Sequence, residues 1–300
     1  MVVRVLGSAA GGGVPQWNCG CHQCVAARTG VIEKRTQCSV AVSGDGRRWM
    51  LINASPDLRC QLLCSQMQPS SGRRETPIET VLLTDADLDH TLGLFHFRES
   101  DSEVLIHASK GIREALDTSL RMTEILALYC GIRWVEAPVA FTPLLSRDGT
   151  ESGLEYRAFE IQGPGPRYRR TEQRSCRVFY MLRESSTAKS LLIAPAVATL
   201  EPQLLAELNR ANAVLFDGTF WSNDDFQKSG VAHALAPELL QSHLPISRGS
   251  LKTLAAIPAK QKIYLHINNT NPILWDDSPE RKQLDDFGIQ VAADGMEFEL

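Results

Sequence analysis

Three cysteines fall within six residues near the start of the chain, in Trp-Asn-Cys-Gly-Cys-His-Gln-Cys, residues 17–24. Thiolates from Cys19, Cys21 and Cys24 can converge on one cation from a single loop, and Zn²⁺ completes a tetrahedron with four sulfur, nitrogen or oxygen ligands. The local candidate for the fourth ligand is His22, which stands awkwardly between two of the thiols. No open coordination position is implied, so the cluster reads as a structural zinc. The surrounding glycines and the lack of an apolar period argue against three chance core cysteines. Of the other cysteines, Cys38, Cys60, Cys64 and Cys130 lie in apolar strand or helix patterns and are expected in the core.

A second stretch, Thr-Asp-Ala-Asp-Leu-Asp-His at 84–90, sets Asp85, Asp87 and Asp89 at alternate positions and follows the last with His90. Carboxylates and an imidazole crowded into one loop can share a cation or move protons. The plainer reading is local: Asp89 caps a helix that starts near His90, and Asp85 and Asp87 are solvated. Two other segments favour a site. Leu-Phe-Asp-Gly-Thr-Phe, 215–220, ends an apolar run on Asp217, and Tyr-Leu-His-Ile, 264–267, ends another on His266. Three strands that each finish on a ligand-capable side chain make a site at one edge of the sheets, a usual location in α/β proteins.

Such a site needs buried strands with their ends aligned. Strand-like runs recur at 2–7, 38–43, 49–54, 81–85, 103–108, 154–161, 177–182, 190–196, 213–218 and 262–267. Helical patterns fill 56–67, 109–130, 201–211, 249–257 and 279–287, the first with Ser55 as cap and Pro56 in its first turn. Strands come in hairpin-like groups early in each half and then alternate with helices. That order predicts an α/β fold of two mixed β-sheets flanked by helices, in preference to a doubly wound parallel sheet. No Pro/Gly/Ser-rich linker or charge block divides the chain, so one domain over 1–300 is expected. The segment 163–175, which opens Gly-Pro-Gly-Pro-Arg-Tyr-Arg-Arg, reads as a solvated basic loop. A formal charge of −4 gives no nucleic-acid footprint, and the lack of an 18-residue apolar run predicts no membrane span. The opening Met-Val-Val-Arg-Val-Leu-Gly is too weakly apolar for an export signal, so a cytoplasmic location is expected.

The order strand, Thr-x-x-x-x-Asp-His, helix, then a strand ending Phe-Asp-Gly-Thr-Phe and another ending in His, resembles the metallo-β-lactamase superfamily and its αββα sandwich. Three segments narrow the likeness: 7–24, 84–94 and His-Ile-Asn-Asn-Thr-Asn-Pro-Ile-Leu at 266–274. Together they resemble the PqqB family of pyrroloquinoline quinone (PQQ) biosynthesis, near the ribonuclease Z and phosphonate-cleaving phosphodiesterase branch. The superfamily's hydrolases carry Thr-His-x-His-x-Asp-His. Here Asp85 and Asp87 stand in place of both histidines, and residues 108–232 contain no histidine. A dinuclear hydrolase's first metal site is therefore stripped of its imidazoles, and no efficient phosphodiester or β-lactam hydrolysis is expected.

The resemblance implies one ion held by Asp89, His90 and His266, a two-histidine, one-carboxylate face of the kind that binds non-haem Fe²⁺ and would also accept Zn²⁺. It makes His243, Asp85, Asp87 and Asp217 the catalytic candidates. His243 falls where ribonuclease-Z-like enzymes carry an additional catalytic histidine, and Asp85 and Asp87 would bind a second cation weakly or hydrogen-bond the substrate. Asn269 occupies the position from which the phosphodiesterase relatives supply a histidine to the three-cysteine zinc, an alternative to His22. His96 and His107 are expected to be structural and His233 a loop residue. The implied function is PQQ biosynthesis by Fe²⁺-dependent hydroxylation of the tyrosine ring in a Glu–Tyr-derived precursor, so the partner is a small peptide-derived substrate. A carrier of PQQ or its precursor is the alternative, with a metal-dependent hydrolase behind it; a homodimer is left open.

Overall fold

The computed structural model describes residues 1–67, 76–169, 176–231 and 236–300. In the first half β1 (Val2–Gly7), β2 (Ser39–Ser43) and β3 (Trp49–Ile52) pair antiparallel, and β4 (Ile78–Leu82), β5 (Val104–Ala108) and β6 (Ile132–Glu136) continue the sheet in parallel. The second half repeats the plan. β7 (Thr142–Leu145), β8 (Glu151–Glu160), β9 (Val178–Glu184) and β10 (Ser190–Ala194) are antiparallel, and β11 (Ala213–Asp217), β12 (Gln261–Leu265) and β13 (Gln290–Val291) add in parallel. The short β14 (Glu297–Glu299) crosses back to pair with β1, so each sheet has seven strands among the described residues. These are the expected two mixed sheets.

Side-chain alternation explains why the sheets stack. On the central strands of the second sheet Leu191, Ile193, Leu215, Ile263 and Leu265 join the core between the sheets, with Val3, Val5, Val40 and Val42 of the first. Their neighbours Leu192, Val214, Phe216 and Tyr264 point the other way, against Leu204, Leu208, Leu254 and Leu284 of the outer helices. Both faces are buried, which is why these strands read as unbroken apolar runs instead of alternating ones.

The differences from the expected elements have physical causes. The helix expected over 109–130 is two, Lys110–Leu120 and Met122–Leu126, broken where Arg121 takes a left-handed backbone (φ 50°). Asp117, Thr118 and Ser119 just before the break are weak helix formers. The helix expected from Pro56 begins at Leu58, because the Ser55 hydroxyl accepts from Asp57 N in a turn ahead of it. That helix buries only Leu58 and Gln61, so Cys60 and Cys64 are exposed and not in the core. Cys130 is half-buried, and Cys38 is buried as expected. Short or half-exposed strands β6, β7, β13 and β14, and the polar helix His22–Thr29, carry too weak a periodicity to be read from sequence. No helix among the described residues is long and apolar enough to cross a membrane.

Candidate functional site

The carboxyl ends of β4, β11 and β12 deliver the candidate residues to one edge. Parallel pairing of β11 with β12 sets Asp217 beside Leu265, so His266 follows immediately next to it. Gly218 has no room for a side chain: a Cβ there would come within 2.7 Å of the Tyr264 Cβ. From the first sheet, Asn53 brackets Thr84, donating to its hydroxyl (2.8 Å) and accepting from its amide (2.9 Å). Val178 N donates to Thr84 O, and a bridge joins Asp85 to Arg177, so the acidic loop is pinned to the second sheet.

Asp89, His90 and His266 offer ligand atoms that all lie within 4.8 Å of one another. The imidazole rings of His90 and His266 meet edge to face, 5.0 Å between centroids. Asp89 Oδ2 is 3.4 Å from His266 Nε2 and 3.9 Å from His90 Nε2. Burial pushes the Asp89 carboxyl up, but His90 and His266 outweigh it and hold the group below the usual carboxylate range. His90 Nδ1 meets both Asp85 oxygens, at 2.8 and 2.7 Å, which leaves its Nε2 buried with no hydrogen-bond partner among the described residues. Burial lowers the His90 pKa, yet Asp85 and Asp89 beside it raise it well above the ordinary value. A buried nitrogen without a partner, beside a second imidazole nitrogen and a carboxylate oxygen, fits a divalent ion. Such an ion would displace a proton from His90 on binding.

Asp85 does not line the cavity. It is 2% exposed and its oxygens are taken by His90, the Thr84 hydroxyl and Asp87 N. The expected contact with substrate or a second cation is therefore replaced by a hold on His90, the carboxylate–imidazole arrangement that fixes a ligand histidine's tautomer. Asp87 does reach the cavity, paired at 3.3 Å with Arg177, and burial pushes its carboxyl up to about 6, with Asp85's charge adding and Arg177 opposing. Asp217 is fully buried. It accepts from Val197 N, Thr219 N and the Thr219 hydroxyl and meets His243 Nδ1 at 2.7 Å, so it too holds a histidine instead of facing substrate.

His243 stacks on His266, with centroids 5.1 Å apart and planes at 19°. Asp217, His243 and His266 form a second cluster of ligand-type atoms. The Thr219 hydroxyl fills its centre, at 2.6 Å from Asp217 Oδ1, 2.8 Å from His266 Nδ1 and 3.0 Å from His243 Nδ1. That cluster is a closed hydrogen-bond set. His266 itself has a left-handed backbone (φ 61°), held by Ile267 N on Ser8 O and Gly218 N on Leu265 O. His107 is buried against the Tyr156 hydroxyl, and His96 is exposed near Pro56 O. His233 lies outside the described residues.

The three cysteines form a compact cradle, with their sulfurs within 4.8 Å of one another. Backbone amides point at the sulfurs: Gln16 N at Cys24, Cys21 N at Cys19 and Cys24 N at Cys21. Burial pushes the Cys21 thiol up to about 12, so it gives up its proton only to a strong competitor such as a cation. Of the two candidates for a fourth ligand, Asn269 is the one at the sulfurs. Its Nδ2 is 3.2, 3.6 and 3.3 Å from Cys19, Cys21 and Cys24 Sγ, and a half-turn of the amide would present Oδ1 there instead. His22 stacks on Trp275, with centroids 4.5 Å apart.

A cavity of about 800 Å³ opens over Asp89, His90, His243 and His266. Phe220 and Phe226 line one part of it, and Arg167, Tyr168, Arg169 and Arg177 another. The start of the basic segment is therefore cavity wall and not merely solvated loop; Tyr168 anchors it through a 2.6 Å bond to Ala86 O. Residues 170–175 of that segment lie outside the described residues. Sequence reasoning missed Thr219 and Arg177. Thr219 follows Asp217 by two residues and could have been flagged; Arg177 sits in a strand pattern with no local signal.

Residues 48–267 match the β-lactamase superfamily domain. The chain is 39% identical over 312 residues to coenzyme PQQ synthesis protein B of Cupriavidus necator, covering 99% of both chains. It is 38% identical over 308 residues to the protein of the same name from Methylococcus capsulatus, covering all of both. A crystal structure of Zn²⁺-bound PqqB from Methylobacterium extorquens superposes over the full length of both chains, with a TM-score of 0.88 and 35% identity.

Proposed function

The chain belongs to the coenzyme PQQ synthesis protein B family of the β-lactamase superfamily, and from that premise we propose that it is an Fe²⁺-dependent hydroxylase acting on the tyrosine ring of a Glu–Tyr-derived precursor of PQQ. The observation that carries this reading is the partnerless, buried His90 Nε2 converging with His266 on Asp89. Those three residues would hold the ion, and the relative solved with Zn²⁺ supports a divalent metal in a protein of this kind. Iron, when bound, supplies the redox chemistry with O₂ that ring hydroxylation needs and that Zn²⁺ lacks.

The protein's own groups prepare the substrate. Asp85 holds His90 with its proton on Nδ1, so that Nε2 offers its lone pair. Phe220 and Phe226 give an aromatic ring an apolar wall, and Arg167, Arg169 and Arg177 add guanidinium groups to the lining, Arg169 paired with Glu114 and Arg177 with Asp87, that suit a substrate carrying carboxylates. His243, bound through Nδ1 to Asp217, turns Nε2 toward the cavity and can take a proton from the phenol.

Two measurements test the reading. Protein purified without oxygen and reconstituted with Fe²⁺ should hydroxylate the tyrosine-containing substrate when O₂ is admitted, and Zn²⁺-loaded protein should not. His243→Ala should keep the metal and slow turnover by ~10²–10⁴-fold, the usual loss for a general acid–base group. Full turnover with zinc alone would defeat the iron reading and leave a binding role ahead.

A further inference from the structure

The hydroxyl of Thr219 has one proton and two lone pairs, and three groups crowd around it. Asp217 already accepts from Val197 N and Thr219 N, so toward the hydroxyl it is again the acceptor. The hydroxyl proton therefore goes to Asp217 Oδ1, 2.6 Å away. What remains on the oxygen is lone pairs, and a lone pair accepts only an N–H. His266 Nδ1 at 2.8 Å must then be the protonated nitrogen of its ring. His243 Nδ1, at 3.0 Å from the hydroxyl and 2.7 Å from Asp217 Oδ2, is placed under the same demand.

We infer that Thr219 is a positioning residue: through one hydroxyl it fixes the tautomer of His266, so that Nε2 presents its lone pair toward Asp89, and braces His243 in the matching form. His90 is held by a carboxylate directly; His266 is held by a carboxylate acting through a hydroxyl. The inference rests on the reading of Asp89, His90 and His266 as an ion site. Thr219 is 3% exposed, and its backbone is secured independently of the hydroxyl by Asn268 N and Asn271 Nδ2 on its carbonyl. Thr219→Val should accordingly fold, with the His266 N–H left without its partner.

The test uses the full chain, with zinc already bound at the cysteines, as wild type, Thr219→Ser and Thr219→Val. A second equivalent of Zn²⁺ is titrated against a chelator, and imidazole nitrogen NMR reads which nitrogen of His266 is protonated. Serine should stay within about threefold of wild type, and valine should bind ~10–100-fold more weakly, the usual cost of losing a partner that orients a ligand histidine. Valine should also mix the two tautomers of His266, while serine keeps the Nδ1–H form. Wild-type affinity together with an unchanged tautomer in valine would overturn the inference. If wild type takes up no second equivalent, it is the ion-site reading that fails, and the NMR comparison still decides the role of Thr219. Thr219→Ala serves the same comparison should valine not fold.

Discussion

Replacing His266 by alanine should abolish hydroxylation of the tyrosine-containing substrate and cost the protein one equivalent of metal, while the three-cysteine site keeps its zinc. Three protein groups converge at the proposed ion, and His266 is one of its two imidazoles. The loss is not expected to come through misfolding. Ser8 and Leu265 hold the neighbouring backbone through main-chain bonds that the substitution leaves untouched. Alanine takes a left-handed backbone less readily than histidine, so the strand end is expected to lose some stability, well short of unfolding. Metal analysis after anaerobic Fe²⁺ loading should give one fewer metal ion per chain than wild type, and a stopped assay should give no product. Full activity in this variant would dismiss Asp89, His90 and His266 as the reactive centre.

Cys21→Ser should lower zinc content by one equivalent and the thermal midpoint by on the order of 10 °C, because the binding free energy of a structural ion is coupled to folding. Cys21 is central to the cradle. Its sulfur caps the helix His22–Thr29 by accepting from Cys24 N, and it contacts both the amide and the carbonyl of Asn269. Activity should fall as well. Asn269 is three residues from His266, and Asn268 N between them bonds Thr219 O, so a loosened cradle loosens the loop that carries the histidine. Zinc analysis and a melting curve decide the first claim. Unchanged zinc stoichiometry would show that the sulfurs are not ligands.

Much of the frame was legible because burial leaves its mark on composition. The runs 213–216 and 263–265 are apolar up to the residue that turns into the site, and that change of character located Asp217 and His266. The hairpin-then-helix order of each half also gave the sheets, since antiparallel neighbours need only a turn and parallel ones a crossover. Orientation was not legible. Asp85, Asp87 and Asp89 look equivalent in the sequence, yet one grips His90, one pairs with Arg177 and one faces the proposed ion. Those fates depend on Thr84, Asn53 and Arg177, which arrive from 1 to 92 residues away from Asp85 and leave no periodic trace. Thr219 stands within reach of notice, two residues past Asp217, but what its hydroxyl touches is decided only once β11, β12 and the loop bearing His243 have met.

The left-handed backbone of His266 bears on how this protein would behave under laboratory selection. A histidine held at positive φ costs of order 1 kcal/mol relative to a glycine, which adopts that conformation freely. Glycine would relieve that strain, but it would also empty the buried place of the ring and take the N–H from the Thr219 hydroxyl, losses of ~1–3 kcal/mol that offset the gain. A library sorted for heat resistance alone would therefore gain nothing from His266→Gly. The strain at position 266 is covered by the packing of its own ring, so durability and usefulness ask for the same residue there.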